Sequence, residues 1–272
     1  MIDMKKVSNM NKAHSSKPES MLGFCMLKLG IDDTPNDYEI IFKKGLRDPL
    51  IQNIIESNRQ EILQKNKGNS IIPLEDVMII IHFFEDSDQN KIILIFMDDK
   101  EKDINFTQLY LISKEIFKKF NKNLDIAEMK TYCDKKIKIP RSKDLIGLFI
   151  LDPSGSPYFT KINKERAGLA NKDVQISGFI SAILTFSREV ISEDSGGNLK
   201  EINFGNQRFF TIIRNNVIFA YLVENANKLF KRYMQLVVDE FFSSYKKELE
   251  QYNGDISPFK SFENTLNKYF KI

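Results

Sequence analysis

Residue types that do chemistry are sparse in this chain, and their spacing narrows the options further. Phosphate cradles need glycines at fixed intervals where a helix opens. Neither GxxxxGK[ST] nor GxGxxG occurs, and the glycines of "DSGGN", 194–198, precede a strand-like run. The chain has two histidines. His14 sits in a polar stretch and His82 in "IIIHFF", with no HExxH frame, so His82 reads as a strand residue hydrogen-bonded at a sheet face. "DSDQN" sets Asp86, Asp88 and Asn90 at alternate positions, as a calcium loop begins. Lys91 and Met97 stand where that loop needs glycine and glutamate, which leaves a hairpin turn. "PSGSP" lacks the GxSxG frame of a nucleophile elbow, so Ser154 and Ser156 read as turn residues. Cys25 and Cys133 form no CxxC spacing. The expectation is a chain with no metal, no cofactor and no catalytic set of its own.

Composition agrees with a folded, non-fibrous protein: 42% hydrophobic and 28% charged residues. The 40 basic and 37 acidic residues are interspersed, giving a net charge of +3 and no field that would gather nucleic acid. The first twenty residues are polar, and no apolar run approaches the roughly 18 to 20 residues of a membrane span. A cytoplasmic protein with a disordered tail over 1–20 is expected.

The elements that must position any site fall into two similar series. "MLGFCMLKLG" and "YEIIFKKG" read as a hairpin, and Asp48 and Pro49 as N-cap and first residue of a helix carrying Ile51, Ile54, Ile55 and Ile62. Strands "NSIIPLE", "VMIIIHFFED" and "KIILIFMDD" follow. A second helix has Phe106, Leu109, Tyr110, Ser113, Phe117 and Phe120 on its apolar side. "GLFILDPSGSPYFTKI" opens the same order again: a helix from about Asp173 to Val190, three strands turning at Asn215 and Asn216, and a long helix from Ala226 to about Tyr252. Phe259, Phe262, Leu266 and Phe270 suggest a final helix. The fold class expected is α+β: two tandem modules, each a five-stranded, mostly antiparallel sheet covered by helices in the order β-β-α-β-β-β-α. The modules are expected at 21–129 and 145–272, joined by a basic connector over 130–144.

Two surfaces stand out as contact candidates. In "VQISGFISAILTFSREV" the large apolar residues Ile176, Phe179, Ile180, Ile183, Leu184, Phe186 and Val190 form an expected core side. Opposite them lie Ser177, Gly178, Ser181, Ala182 and Thr185, with no charge before Arg188. A solvated face would carry Lys and Glu, so this one is expected to be covered, either by the same chain or by a partner. The connector's Lys135, Lys136, Lys138 and Arg141 form a weaker candidate for contact with an anionic lipid or an acidic partner, against the plainer reading of a solvated linker.

The element order, the hairpin "GLFILDPSGSPYFTKI", the helix "DVQISGFISAILTFSREV" and the meander "LKEINFGNQRFFTIIRNNVIFAYLVE" resemble the longin domain and its roadblock relatives, including archaeal ones. That resemblance implies a non-enzymatic platform in dimeric or pseudo-dimeric arrangement. Its implied partner is a Ras-like small GTPase, in trafficking-like regulation, or another longin or roadblock subunit. It also implies that exchange or activation occurs only through the partner, with Arg188 as a weak candidate for stabilising phosphate charge. The alternative is a PAS- or GAF-like sensor of a small ligand, which needs polar groups converging on an apolar wall; His82 and Thr211 are among the few available.

Overall fold

The computed structural model describes residues 19–30, 37–122, 125–163, 173–187 and 199–272. The chain divides into two compact units, Met1–Pro140 and Arg141–Ile272.

In the first unit a short strand, β1 (Glu19–Ser20), precedes the hairpin β2 (Gly23–Leu29) and β3 (Tyr38–Lys44). Helix α1 (Asp48–Gln64) follows, then β4 (Lys67–Leu74), β5 (Val77–Glu85), β6 (Lys91–Asp99), α2 (Phe106–Phe120), α3 (Ile126–Lys136) and β7 (Ile137–Lys138). The five long strands form one antiparallel sheet in the order β3-β2-β6-β5-β4. Side chains alternate across it, as period two requires. Cys25, Leu27, Ile79, Ile81 and Phe83 pack under Ile51, Ile54, Ile55 and Ile62 of α1. Phe24, Met26, Ile80 and Phe96 pack under Leu109, Ile112 and Ile116 of α2 and Met129 and Cys133 of α3.

The second unit repeats the plan with β8 (Leu145–Leu151), β9 (Pro157–Ile162), α4 (Asp173–Phe186), β10 (Glu201–Phe204), β11 (Gln207–Arg214), β12 (Val217–Val223) and α5 (Lys228–Glu250). A 3-10 turn (Ser257–Ser261) and α6 (Phe262–Tyr269) close it. Its antiparallel sheet runs β10-β11-β12-β8-β9. Counted from its own hairpin, each sheet therefore has the strand order 2-1-5-4-3. The central strands, β6 "KIILIFMDD" and β12 "VIFAYLV", are near-continuous apolar runs because helices cover both faces of each sheet. Asn215 and Asn216 adopt φ of +48° and +60° at the β11–β12 turn, the left-handed pair that a tight hairpin demands. Phe259, Phe262, Leu266 and Phe270 are all fully buried, sealing α5 from one side.

Four expectations are corrected. Residues 130–144 do not form a solvated connector: Lys130–Lys136 belongs to α3, and Ile137 and Lys138 pair with Glu19 and Ser20. Met129, Cys133 and Ile137 recur every fourth residue and bury themselves on the sheet, an apolar stripe hidden in the sequence by the lysines between. The first unit accordingly runs on past 129 to Pro140, and the division falls inside the 130–144 stretch. At α1 the N-cap is Arg47, and Asp48 stands in the first turn, ion-paired to Lys43 at 2.5 Å. Helix α2 is turned from its expected orientation: Leu109, Ile112, Ser113 and Ile116 are buried, whereas Phe106 and Tyr110 are exposed.

Candidate functional site

Helix α4 follows β9, and its sheet side is a line of Ser177, Ile180, Ser181, Leu184 and Ser187, all buried. Two of the five small residues singled out by sequence, Ser177 and Ser181, therefore face inward, beside the β8–β9 turn. The Ser181 hydroxyl donates to the Pro153 carbonyl at 3.0 Å. Gly155, at φ +92°, comes so close that a Cβ there would lie 2.8 Å from the Cβ of Ser181. A glycine is needed on both counts. The turn is held from within by Asp152, whose Oδ1 accepts from the Ser154 hydroxyl at 2.6 Å and the Ser156 amide at 2.9 Å.

The remaining three, Gly178, Ala182 and Thr185, are exposed. Around them Phe179 is 41% exposed, Phe186 60% and Val174 71%, which overturns the expectation that Phe179 and Phe186 belong to the core. Periodicity could not fix the rotation of a helix that is apolar nearly all round. The close approach of Gly155 to Ser181 does fix it. Phe179 also meets Phe204 of the edge strand β10, with ring centroids 5.7 Å apart, and Phe204 is itself 43% exposed. The result is an outward apolar surface on α4 and β10, with no charged residue from Val174 to Ser187. Arg188 lies outside the described residues.

The basic candidates differ in exposure. Lys136 is buried and ion-paired to Glu115 at 3.0 Å; the same carboxylate accepts from the Tyr132 hydroxyl at 2.6 Å. Burial first, and then that bond to Glu115, hold the Tyr132 phenol well above its ordinary value. Lys138 donates to the Asp134 carbonyl at 3.0 Å, and Lys135, Lys138 and Arg141 are exposed.

His82 lies on β5, half-buried, facing α2. Its Nδ1 is 2.6 Å from the Ser113 hydroxyl, which donates to the Leu109 carbonyl at 2.9 Å. A hydroxyl has one proton, so Nδ1 carries the hydrogen of the His82 contact and Nε2 is the bare nitrogen of the neutral ring. Burial lowers the imidazole pKa from its ordinary value. Sequence reasoning placed His82 at a sheet face but missed Ser113 as its partner, because Ser113 read as part of a helix's apolar side. Thr211, the other polar group noted on a sheet, donates instead to the Leu199 carbonyl.

Burial raises the thiol pKa of Cys25 far above its usual range and pushes that of Cys133 up to about 12, so neither is a ready nucleophile. Asp86 Oδ1 accepts from the amides of Asp88 and Asn90, both at 2.9 Å, closing the "DSDQN" turn upon itself. Among the described residues no group of three or more His, Cys, Asp and Glu side chains could hold a metal ion. Nor is any described helix long and apolar enough to cross a membrane.

Strand order, register and helix placement define an α+β protein of two tandem antiparallel-sheet modules in the longin-like order β-β-α-β-β-β-α. No protein-family model matches the chain, and no curated protein matches it. Among solved structures it is similar to a Roadblock/LC7 domain from Streptomyces avermitilis, at 12% identity and a TM-score of 0.30, over 38% of this chain and 85% of that one.

Proposed function

We propose that this chain is a non-enzymatic platform that docks a protein partner on the outward surface of α4 and β10. The observation that carries the proposal is the uncharged helix face on which Val174, Phe179 and Phe186 are exposed beside Phe204. Exposed aromatic side chains grouped around small residues suit a protein interface, because they offer large contact area and let another backbone come close. The resemblance in element order gives the class of partner: a Ras-like small GTPase, or another longin or roadblock subunit. The chain then acts by holding its partner, and any exchange or hydrolysis is performed by that partner.

The test is co-purification from native lysate with partners identified by mass, using the parent chain, Phe186→Asp, and Glu56→Lys on the solvated face of α1 as a control. Recovery of a GTPase or longin-type subunit by the parent and the control, but not by Phe186→Asp, is the expected result. Recovery indifferent to Phe186→Asp removes α4 as the docking surface, and failure to recover either class removes the platform reading.

A further inference from the structure

We propose that a cavity in the first unit, between α2 and the β4–β5 edge of the sheet, binds a small organic carboxylate with an apolar body. This inference concerns a different unit from the partner surface and does not depend on it. The cavity has a volume of about 440 Å³, within the roughly 300 to 1,000 Å³ usual for small-molecule sites. Its wall is apolar: Phe84 and Phe117 lie in contact, with ring centroids 3.9 Å apart. His82 also lines it, with Ser113 bonded to the Nδ1 side of the ring.

The rim determines the sign of the ligand. Lys67 from β4 and Lys114 from α2 both line the cavity, both are exposed, and neither forms an ion pair among the described residues. Among the described residues no Asp or Glu lines it. Two uncompensated ammonium groups above an apolar wall favour an anion that brings its own apolar part. Asn69, opposite His82 in the β4–β5 ladder, adds amide donors at the same mouth.

A phosphate is the poorer match. The α2 residues that line the cavity, Tyr110, Ser113, Lys114 and Phe117, lie inside the helix, past the first turn where free backbone amides would greet a phosphate. A carboxylate needs only the lysines, while its apolar body takes the place of water against Phe84 and Phe117.

The probe is phenylacetate, titrated into the intact chain and followed by amide chemical shifts, with phenylacetamide and inorganic phosphate as comparisons. Saturable shifts centred on residues 67–69, 82–84 and 110–117 are expected. Both comparison compounds are expected to bind at least about tenfold more weakly, because one lacks the charge and the other the apolar body. Lys114→Glu and Lys67→Glu alter exposed side chains and so preserve the fold; each is expected to weaken phenylacetate at least about tenfold. The proposal is overturned if phenylacetate gives no saturable shifts up to about 10 mM, if the shifts map elsewhere, or if both charge reversals leave binding unchanged. Equal binding of phenylacetamide would reduce the cavity to an apolar pocket, and equal binding of phosphate would reduce the rim to a general anion patch; either overturns it too.

Discussion

Helices α1 and α4 hold the same place in the same plan, each following its unit's first hairpin and covering one face of its sheet, yet they meet the outside in opposite ways. The outer side of α1 is polar, with Asn53, Glu56, Ser57, Gln60 and Glu61 exposed, and carries an ion pair from Lys65 to Glu61 at 2.7 Å. The outer side of α4 has no charge and exposes Val174, Phe179 and Phe186. A shared strand order thus fixes what a helix must bury and leaves its other side free to differ. The opposite faces of the sheets contrast too. In the first unit a polar pair, His82 and Ser113, and a cavity lie beneath α2. In the second, α5 packs through a cluster of aromatic rings: the Phe241 ring lies 5.5 Å from Phe219, 5.0 Å from Phe262 and 5.7 Å from Phe259.

The largest expected effect tests that second contrast. Phe241→Ala removes a fully buried ring from the aromatic cluster and should cost about 3 to 5 kcal/mol, since the surrounding rings cannot collapse into the space. Phe117→Ala, in a half-buried wall already bordering a cavity, should cost clearly less. Chemical denaturation of the two variants measures the difference, and equal losses would erase the distinction between a ring enclosed by other rings and one that walls a cavity.

An intermediate effect is expected within α4 itself. Ser181→Arg must force a long charged side chain beneath the Pro153–Gly155 turn, at a cost of about 2 to 4 kcal/mol. Ala182→Arg, one residue on and exposed, should change stability by no more than about 0.5 kcal/mol. Thermal unfolding of the pair checks the rotation of the helix; a severe loss from Ala182→Arg would mean that the outward face is already covered.

The smallest effect is a pH dependence confined to the first unit. The folded His82 has a lowered pKa, so as pH falls below the ordinary value of 6.5 the unfolded chain takes the proton first, and stability is lost through that window. His82→Gln should lose less stability than the parent between about pH 7 and pH 5. Parallel pH profiles for the two would show that the imidazole is not held neutral by the fold.

Much of the plan was legible because period-two and period-3.6 patterns are strong where one face alone is apolar. α1, with Ile51, Ile54, Ile55 and Ile62 on one side and Asn53, Glu56, Ser57 and Gln60 on the other, is an example. Legibility failed where both sides of a helix carry the same chemistry. Nothing in "VQISGFISAILTF" says that Ser181, rather than Phe186, lies inward, because that choice is made by Gly155 in a distant turn. It failed again in α3, where the spacing of Met129, Cys133 and Ile137 was masked by Lys130, Lys135 and Lys136. The cavity was invisible for a simpler reason: Lys67 and Lys114 are far apart in sequence and meet only through the placement of α2 against β4.

The short ladder of β1 with β7 bears on how the chain is made. Glu19 pairs with Ile137 and Ser20 with Lys138, joining the first described residues of the unit to its last. The second unit has the same clasp: Ser142 bridges Phe270, donating its amide to the Tyr269 carbonyl and accepting from the Lys271 amide at 2.9 and 2.8 Å. On a ribosome that emits roughly 5 to 20 residues each second, neither clasp can close until the far end of its unit has emerged. Each unit can therefore close its clasp only with its last few residues, and the first can do so while the second is still being synthesised.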